Sequence, residues 1–387
     1  MMTERAAIAG LGMSEIGKVY GHKASDFASI AVHNAVADAG LALSDVDGLI
    51  VSSGIGSGVN VSLAAKMGLT DLNLLTSMQA FGSTAAQMVQ YAAMAVQSGM
   101  AQTIAIVWAD DPLKENVGSG AVYRASSSKA PSGWWGLMAT SGITSQNTHY
   151  ALAAQRHMAA YGTTNDHFGA IAVAQREWAA LNPLAQLRTP ITLADYHASR
   201  WIVEPFHLYD CCLVSNGAVA LVITSLERAQ ALAQPPVEVL GWAQSHPGRP
   251  VMRNDDFGLV SGAARSGPAA LRMADTSVDE IDLVEIYDCY TFTAMITVED
   301  YGFCAKGEGG PFLAEAGRLG PGGSFAMNTG GGELSGYYLW GMTPLSEAVI
   351  QVRGQAGERQ VARHDRAMVS GNGGTLDHHA TLVLGTV

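Results

Sequence analysis

The sequence predicts a mixed α/β protein built from two similar halves, and three observations lead to this prediction. Short apolar runs typical of buried strands alternate with segments of helical periodicity along most of the chain. One such unit recurs, because a displacement of 235 positions, from 45 to 280, places Asp45-Val46-Asp47 on Glu280-Ile281-Asp282. The 44 glycines are dispersed among the apolar strands, which indicates tight turns and close backbone contacts rather than linkers.

The first half begins with the apolar run AAIAGLGMSEIG, which predicts a strand buried on both faces of a sheet. The next segment, DFASIAVHNAVADAGL, places Phe27, Ile30 and Ala31 at helical spacing, and Gly40 is a plausible C-terminal cap. A turn at residues 44–47 then leads into the strand LIVSS. Further on, STAAQMVQYAAMAVQSGMAQTIAIVWA predicts a long helix that passes through a glycine turn into another strand.

The second half repeats this order. VEVLGWAQ predicts a strand, GLVSGAARSGPAALRMAD a helix and LVEIYD a further strand. TPLSEAVIQVRGQAGERQVARHDRAMVSG again reads as helix, glycine turn and strand. We therefore expect one half over residues 1–225 and a second over 236–387. The alternative, that two α/β segments look alike by chance, stays open at this point.

The segment from about 110 to 200 interrupts the first half and carries much of the irregular sequence, including Pro183 and Pro190. Insertions of this kind usually lie over the mouth of an α/β core and shape its ligand pocket. Trp134 and Trp135 lie in it, and they either line a cavity or pack in a core.

Composition excludes several classes of protein. Charged residues make up 14% and the hydrophobic set 48% of the 387 residues, which excludes a disordered chain and a coiled coil. The net charge of -12 and the absence of a basic cluster argue against nucleic acid as a partner. No apolar run reaches the roughly 18 residues of a membrane-spanning helix, and the N-terminus lacks a signal-peptide block, so we expect a cytoplasmic protein without membrane association.

Cofactor and metal motifs are missing from the sequence. The four cysteines, Cys211, Cys212, Cys289 and Cys304, have no CxxC spacing and read as reduced thiols. The 11 histidines show no ligand spacing, since the adjacent pair at 378 and 379 points to opposite faces of a strand. Neither GxGxxG nor GxxxxGK[ST] occurs, so no cofactor of the protein's own is expected.

Three strings carry a resemblance to a known family: HLYDCCLVSNGAVALVITS, VEIYDCYTFTAMITVEDYGFCAKGEGGPFL and GPGGSFAMNTGGGELSGYYLWGM. They resemble the thiolase-like lipid-transfer proteins related to sterol carrier protein thiolase. The resemblance implies the thiolase fold, with two duplicated βαβαβ halves in five αβαβα layers and an inserted loop domain.

Thiolases need two cysteines, a histidine and an Asn or His at an oxyanion hole, and here every one of these positions differs. In the register set by Gly82, Gln79 stands where the nucleophilic cysteine belongs, and glutamine cannot form an acyl-enzyme. Tyr338 replaces the Gly-His-Pro histidine, Tyr287 the oxyanion-hole residue and Gly371 the second cysteine. The glycine framework remains, so we expect the pocket without the thiolysis chemistry.

One branch of the family matches this pattern, the aldolases that shorten steroid side chains, which have tyrosines at the positions of Tyr287 and Tyr338. The resemblance implies a retro-aldol lyase acting on a β-hydroxyacyl-CoA thioester. That branch commonly has a histidine in the turn Asn-Thr-His-Gly-Gly, where this chain has Gly330. The doublet of tyrosines at 337 and 338 leaves open which ring faces the pocket.

The expected chemistry divides the candidate residues into two groups. We expect Tyr287 to take the hydroxyl proton and Tyr338 to deliver a proton to the acyl fragment, although the two roles can be exchanged. The supporting or oxyanion candidates are Gln79, Asn328, Gly330, Gly331, Gly373 and Gly374. Tyr290, Tyr337 and Asp288 are weaker candidates, and Asp288 is equally compatible with orienting a backbone turn.

The resemblance also implies partners. It implies a homodimer and a DUF35-type partner with an OB-fold and a zinc ribbon, so that zinc is expected only in the partner and the substrate is the CoA thioester. The helix STAAQMVQYAAMAVQ lies either at the dimer interface or inside one subunit. Two other functions stay open, a CoA-dependent thiolase or acyltransferase and a non-catalytic lipid-binding subunit.

Overall fold

The computed structural model describes residues 5–56, 58–119 and 132–387, and its main feature is one long mixed sheet. The strands of the described chain are β1 (Ala6–Met13), β2 (Gly48–Ser53), β3 (Leu74–Ser77), β4 (Thr103–Asp110), β5 (Trp201–Val203), β6 (Phe206–His207), β7 (Gly217–Ser225), β8 (Val237–Ser245), β9 (Leu283–Glu285), β10 (Ala326–Met327), β11 (Arg366–Gly373) and β12 (His378–Gly385). β5 and β6 form a separate small hairpin.

Helices cover both faces of this sheet. They are α1 (Ala24–Asp38), α2 (Leu63–Met67), α3 (Thr84–Gln97), α4 (Gly133–Thr140), α5 (Gln146–Tyr161), α6 (Asn165–Leu181), α7 (Leu193–Ala198), α8 (Leu226–Gln230), α9 (Ala263–Met273), α10 (Thr291–Tyr301), α11 (Gly309–Ala314) and α12 (Met342–Val352). A single π-helical turn covers Gly332–Gly336. None of the helices in the described ranges is long and apolar enough to cross a membrane.

The order of the strands shows the duplication directly. The sheet runs β10-β9-β11-β12-β8-β1-β7-β4-β2-β3. From the centre outward, the first half runs β1-β7-β4-β2-β3 and the second half runs β8-β12-β11-β9-β10. The two halves therefore place corresponding strands in the same order. The halves meet where Ala7 and Ile8 of β1 pair with Glu238 and Val237 of β8. The predicted fold class is confirmed, and we propose that the halves divide at 1–225 and 236–387.

α3 is a central element of the subunit. It packs against β4 and β7 of one half and against β8, β11 and β12 of the other. The buried amide of Gln90 donates to the carbonyls of Ala243 in β8 and Thr381 in β12, at 3.2 Å each. These bonds join the helix to two strands of the second half. Of the two interpretations of this helix, burial within one subunit is the one that the structure shows.

The outer helices complete the layers. α1 covers β1, β7 and β4 on the outside of the first half, while α9 covers β8 and β12 of the second. Glycines in the strands beneath them permit this close packing, since a Cβ on Gly12 of β1 would lie 2.1 Å from the backbone nitrogen of Ala35 in α1. A Cβ on Gly241 would similarly lie 2.3 Å from the carbonyl oxygen of Ala270.

The segment between β4 and β7 packs onto the second half. α6 contacts α10, α11 and the π-helical turn. A buried charge network fixes α5 in the same place, because the His157 imidazole lies 3.0 Å from Glu299, which also pairs with Lys306 at 3.0 Å. Residues 120–131 and the side chains of Trp134 and Trp135 lie outside the described residues.

Candidate active site

Tyr287 lies directly behind the carboxyl end of β9. Its N–H donates to the hydroxyl of Ser370 on β11 at 3.0 Å, and only 4% of the residue is exposed. The ring lies against Gly82 in the turn before α3, where a Cβ would stand 2.2 Å from a ring carbon. The glycine at 82 is therefore the reason why a tyrosine fits at this position.

Tyr338 reaches the same place from the segment before α12. Its N–H donates to the Ser215 hydroxyl at 2.9 Å, which fixes the backbone. The hydroxyl groups of Tyr287 and Tyr338 lie 3.1 Å apart, a hydrogen bond in which either oxygen can be the donor. The rings meet edge to face, with centroids 6.5 Å apart. The structure thus joins the two residues expected to move protons.

In the structure, the side chains of Tyr337 and Tyr338 point to different surroundings. Tyr337 is buried in the core, and its hydroxyl lies 2.7 Å from the Ser346 hydroxyl on α12. Tyr338 is half-buried and directed at Tyr287. Successive side chains of an extended segment point to opposite sides, so only one of the two can meet Tyr287.

The environment of the pair disfavours a phenolate. Burial raises the pKa of Tyr287 well above its usual value, and the nearby Glu333 and Cys289 raise it further. The hydrogen bond with Tyr338 lowers this pKa only in part. A resting phenolate is therefore unfavourable, and the two tyrosines are suited to passing a proton along while both stay neutral.

The Gln79 turn lies beside the tyrosine pair, and several of its polar groups are hydrogen-bonded within the protein. The Gln79 amide donates to the Ser53 carbonyl and accepts from the N–H of Phe81, each at 2.9 Å. The N–H of Ala80 donates to the Thr84 hydroxyl at 2.7 Å. These two backbone N–H groups therefore already have acceptors within the protein.

The Gly373–Gly374 turn packs against the Gln79 turn. A Cβ on Gly373 would lie 2.2 Å from the Ala80 carbonyl oxygen. Gly374 has a φ of +67°, and its carbonyl accepts a hydrogen bond from Tyr150 at 2.7 Å. Tyr150 also accepts from the amide of Asn372 at 2.8 Å. A tyrosine of the inserted segment therefore fastens this turn next to Tyr287.

Asn328 supports the segment that leads to Tyr287. Its side-chain oxygen accepts from the Ile286 N–H at 2.6 Å, and its amide donates to the Ile286 carbonyl at 3.0 Å. The neighbouring glycines face elsewhere. A Cβ on Gly330 would lie 2.9 Å from the Glu347 carboxyl, and one on Gly331 would lie 2.6 Å from the Cβ of Ala179.

Asp288 and Tyr290 hold backbone and packing contacts. Asp288 accepts the N–H of Glu333 at 2.7 Å, so it orients the π-helical turn. The Tyr290 ring stacks on Phe206 with centroids 4.9 Å apart, and its hydroxyl donates to Asn147. Tyr290 thus ties the inserted segment to α10, whose N-terminal cap it forms.

Comparison with known proteins identifies the family. The profile of the thiolase C-terminal domain-like family matches residues 243–386. A steroid side-chain-cleaving aldolase from Thermomonospora curvata is 37% identical over 356 residues, covering 90% of each chain. The chain belongs to the family of thiolase-like aldolases. A 17-hydroxy-3-oxo-4-pregnene-20-carboxyl-CoA lyase from Mycobacterium tuberculosis is 33% identical over 367 residues, covering 92% of this chain and 93% of that protein.

A solved structure supports the same family. The Ltp2-ChsH2(DUF35) aldolase is 32% identical to this chain, with a TM-score of 0.87, and the match covers 100% of this chain and 98% of that one. Because named members of the family are aldolases and lyases, the chain is an enzyme of the carbon–carbon lyase class.

Two buried thiols of this aldolase-family chain lie in surroundings that disfavour the thiolate. Burial raises the pKa of Cys289 and of Cys212 well above the usual value, and the nearby Glu333 carboxyl raises both further. A thiol becomes a nucleophile as a thiolate, which this environment disfavours. Among the described residues, no group of three or more His, Cys, Asp or Glu side chains is arranged to hold a metal ion.

The sequence alone did not identify several residues of the aldolase-family site. Ser215, Ser370 and Tyr150 hold the tyrosine segments or the turn beside them, and they come from distant parts of the chain. Glu333 is the one with a local signal, since it is an acid inside the otherwise uncharged run GGGELSGYY. An acidic side chain is seldom fully buried unless it has a structural or chemical role, and Glu333 is fully buried.

Proposed function

We propose that the protein is a retro-aldol lyase that cleaves a β-hydroxyacyl-CoA thioester of the steroid side-chain type. The products are a ketone or aldehyde and a shorter acyl-CoA. The single observation that carries the proposal is the 3.1 Å contact between the hydroxyls of Tyr287 and Tyr338 in a chain of the thiolase-like aldolase family. The relatives named as a steroid side-chain-cleaving aldolase and a carboxyl-CoA lyase support the substrate class.

The tyrosine pair acts as a neutral proton relay. The substrate hydroxyl gives its proton to Tyr287 while the proton of Tyr287 passes to Tyr338, and Tyr338 gives its own proton to the α-carbon. The carbon–carbon bond breaks, its electron pair goes to the α-carbon and the former hydroxyl becomes a carbonyl. Because each tyrosine gives and receives one proton, neither needs to become a phenolate in the buried site.

The thioester oxygen needs a donor while enolate character develops. We assign this role to a backbone N–H of the Gly373–Gly374 turn, because the turn is held beside Tyr287 by Tyr150 and by packing on the Gln79 turn. A fixed donor of this kind typically lowers a barrier by about 3 kcal/mol.

Cleavage without free CoA tests the proposed reaction. We expect the enzyme, with its partner protein, to release a shorter acyl-CoA and a carbonyl product from a β-hydroxyacyl-CoA panel, at a rate unaffected by added CoA or iodoacetamide. Product analysis by liquid chromatography with mass detection measures this. CoA-dependent turnover that iodoacetamide abolishes would instead show a thiolase, and bound but uncleaved thioester would show a lipid-binding subunit.

We also propose a hetero-oligomer built on a homodimer in the cytoplasm. The similar aldolase structure is a complex with a DUF35 protein, which supports a DUF35 partner for this chain, with any zinc in that partner. β3 ends the sheet, and Leu75 on it is 44% exposed, so this edge is open to a second copy within the described structure.

Co-expression with a DUF35 protein from the same genome tests the assembly. We expect the two chains to co-purify, with a molar mass by light scattering that corresponds to two copies of each. The chain expressed alone is the control and should show lower lyase activity. A monodisperse, fully active monomer in that control would contradict both the partner and the dimer.

A further inference from the structure

Two buried carboxyl groups lie behind the tyrosine pair, and the relay makes no use of them. Asp288 and Glu333 are each 0% exposed. One oxygen of Asp288 accepts the Glu333 N–H at 2.7 Å. Within the part of the chain that the structure describes, both carboxyl oxygens of Glu333 have no hydrogen-bond partner. Buried acids in this condition are costly to keep charged.

Each of the two acids lies on one of the segments that carry the tyrosines, and the two segments meet at this point. Asp288 follows Tyr287 directly, and Glu333 lies in the π-helical turn Gly332–Gly336, which ends immediately before the tyrosine doublet. Gly332 has a φ of +57°, and a Cβ there would lie 2.3 Å from the Asp288 carboxyl. The turn therefore closes directly onto Asp288, and π-helical turns of this kind are frequent at functional sites.

Among the residues that the structure describes, the titratable groups that face these carboxyls include no cation that neutralises them. Tyr287, Cys289, Cys212 and Glu285 are themselves acids, and each has a raised pKa for which burial is the main cause. The remaining polar neighbours of Asp288 are the amides of Gln175 and Asn328 and the backbone N–H of Leu334.

The guanidinium of Arg176, on the helix packed against the same turn, is committed elsewhere. It donates to the Ser335 hydroxyl at 3.0 Å and to the Thr189 carbonyl at 3.1 Å. Burial raises the pKa of Asp288 to about 7, and burial together with Asp288 raises the pKa of Glu333 well above its usual value. Both shifts favour the protonated form of these acids.

We propose that Asp288 and Glu333 are a proton-holding positioning pair that keeps the Tyr287 and Tyr338 segments joined and their surroundings uncharged. The proposal rests on the proposed lyase reaction. Neither carboxyl touches the reacting atoms in this scheme. Deprotonation of the two carboxyls places negative charge behind an enolate that is itself becoming negative. This charge opposes the reaction without breaking the relay.

The dependence of kcat on pH tests this pair. We expect kcat of the wild-type enzyme to fall about tenfold per pH unit once the pair loses its proton above neutral pH. The double variant Asp288→Asn/Glu333→Gln holds permanently neutral groups of nearly the same shape, so its kcat should stay flat over the same range. The matched control is Asp300→Asn, a buried acid that accepts the Ser261 N–H, which should keep the wild-type profile.

An infrared measurement tests the pair without relying on catalysis. The wild-type enzyme at neutral pH should show the carbonyl stretch of a protonated carboxylic acid, and Asp288→Asn/Glu333→Gln should lose part of that band while Asp300→Asn retains the Asp288–Glu333 contribution. An unchanged band in the double variant, or a double variant whose kcat falls with pH as in the wild type, would overturn the pair. Absence of lyase activity in every variant would remove the proposed function, while the infrared result would still decide whether the carboxyls hold a proton.

Discussion

Replacing Tyr287 by phenylalanine should lower kcat for thioester cleavage by about 10²–10⁴-fold, the usual contribution of a positioned proton-transfer group. The ring stays in its slot against Gly82, and only the hydroxyl that contacts Tyr338 is lost. Tyr338→Phe should cost a similar factor, and the double variant little more, because one missing hydroxyl already breaks the relay. The measurement is the initial rate of short acyl-CoA release at saturating β-hydroxyacyl-CoA.

Tyr337→Phe is the matched control, since it removes the same atom from the adjacent ring. That hydroxyl contacts Ser346 in the core, so the variant should keep its kcat and lose about 1 kcal/mol of unfolding free energy. Wild-type turnover in both Tyr287→Phe and Tyr338→Phe would eliminate the relay. An increase in KM alone would show that the pair binds substrate without moving protons.

The fold was predictable because its signals are local. Strands buried on both faces appear as apolar runs such as TIAIVWAD in β4, and the duplicated turns before β2 and β9 keep the same acidic pattern. The position of α3 was not predictable, because a helix that is apolar on most of its surface fits a dimer interface as well as a layer between two halves of a sheet. Only contacts between residues far apart in sequence, such as Gln90 with Thr381, decide between them.

The candidate site was predicted only in part, for a related reason. The resemblance to the family located Tyr287 and Tyr338, the second of them through the register of Leu334, Ser335 and Gly341. The direction of a side chain depends on local backbone geometry, and the choice between Tyr337 and Tyr338 follows from the π-helical turn before them. Tyr150 joins the site from the inserted segment, and nothing in its local sequence marks its hydrogen bonds to Asn372 and Gly374.

Gly82→Ala is expected to have the second large effect. The added Cβ would lie 2.2 Å from the Tyr287 ring and equally close to the carbonyl oxygen of Asn372, and no real Cβ tolerates such a contact. Because the Asn372 contact is to backbone, a side-chain rotation cannot relieve it. The ring and the turn have to move apart, which should lengthen the contact between Tyr287 and Tyr338 and lower kcat by at least about 10²-fold.

The same substitution should cost about 1–3 kcal/mol or more of unfolding free energy, as overpacking of a tight core does. Gly99→Ala is a control without this clash. Gly99 has a φ of +72°, and apart from the glycine itself and its chain neighbours no atom of the described residues lies within 4 Å of the position of its Cβ, so the control carries only backbone strain of about 1–2 kcal/mol. It should keep the wild-type kcat. If Gly82→Ala instead matched Gly99→Ala in both kcat and denaturation midpoint, the ring of Tyr287 would not be held by contact with Gly82, and the relay geometry would need another support.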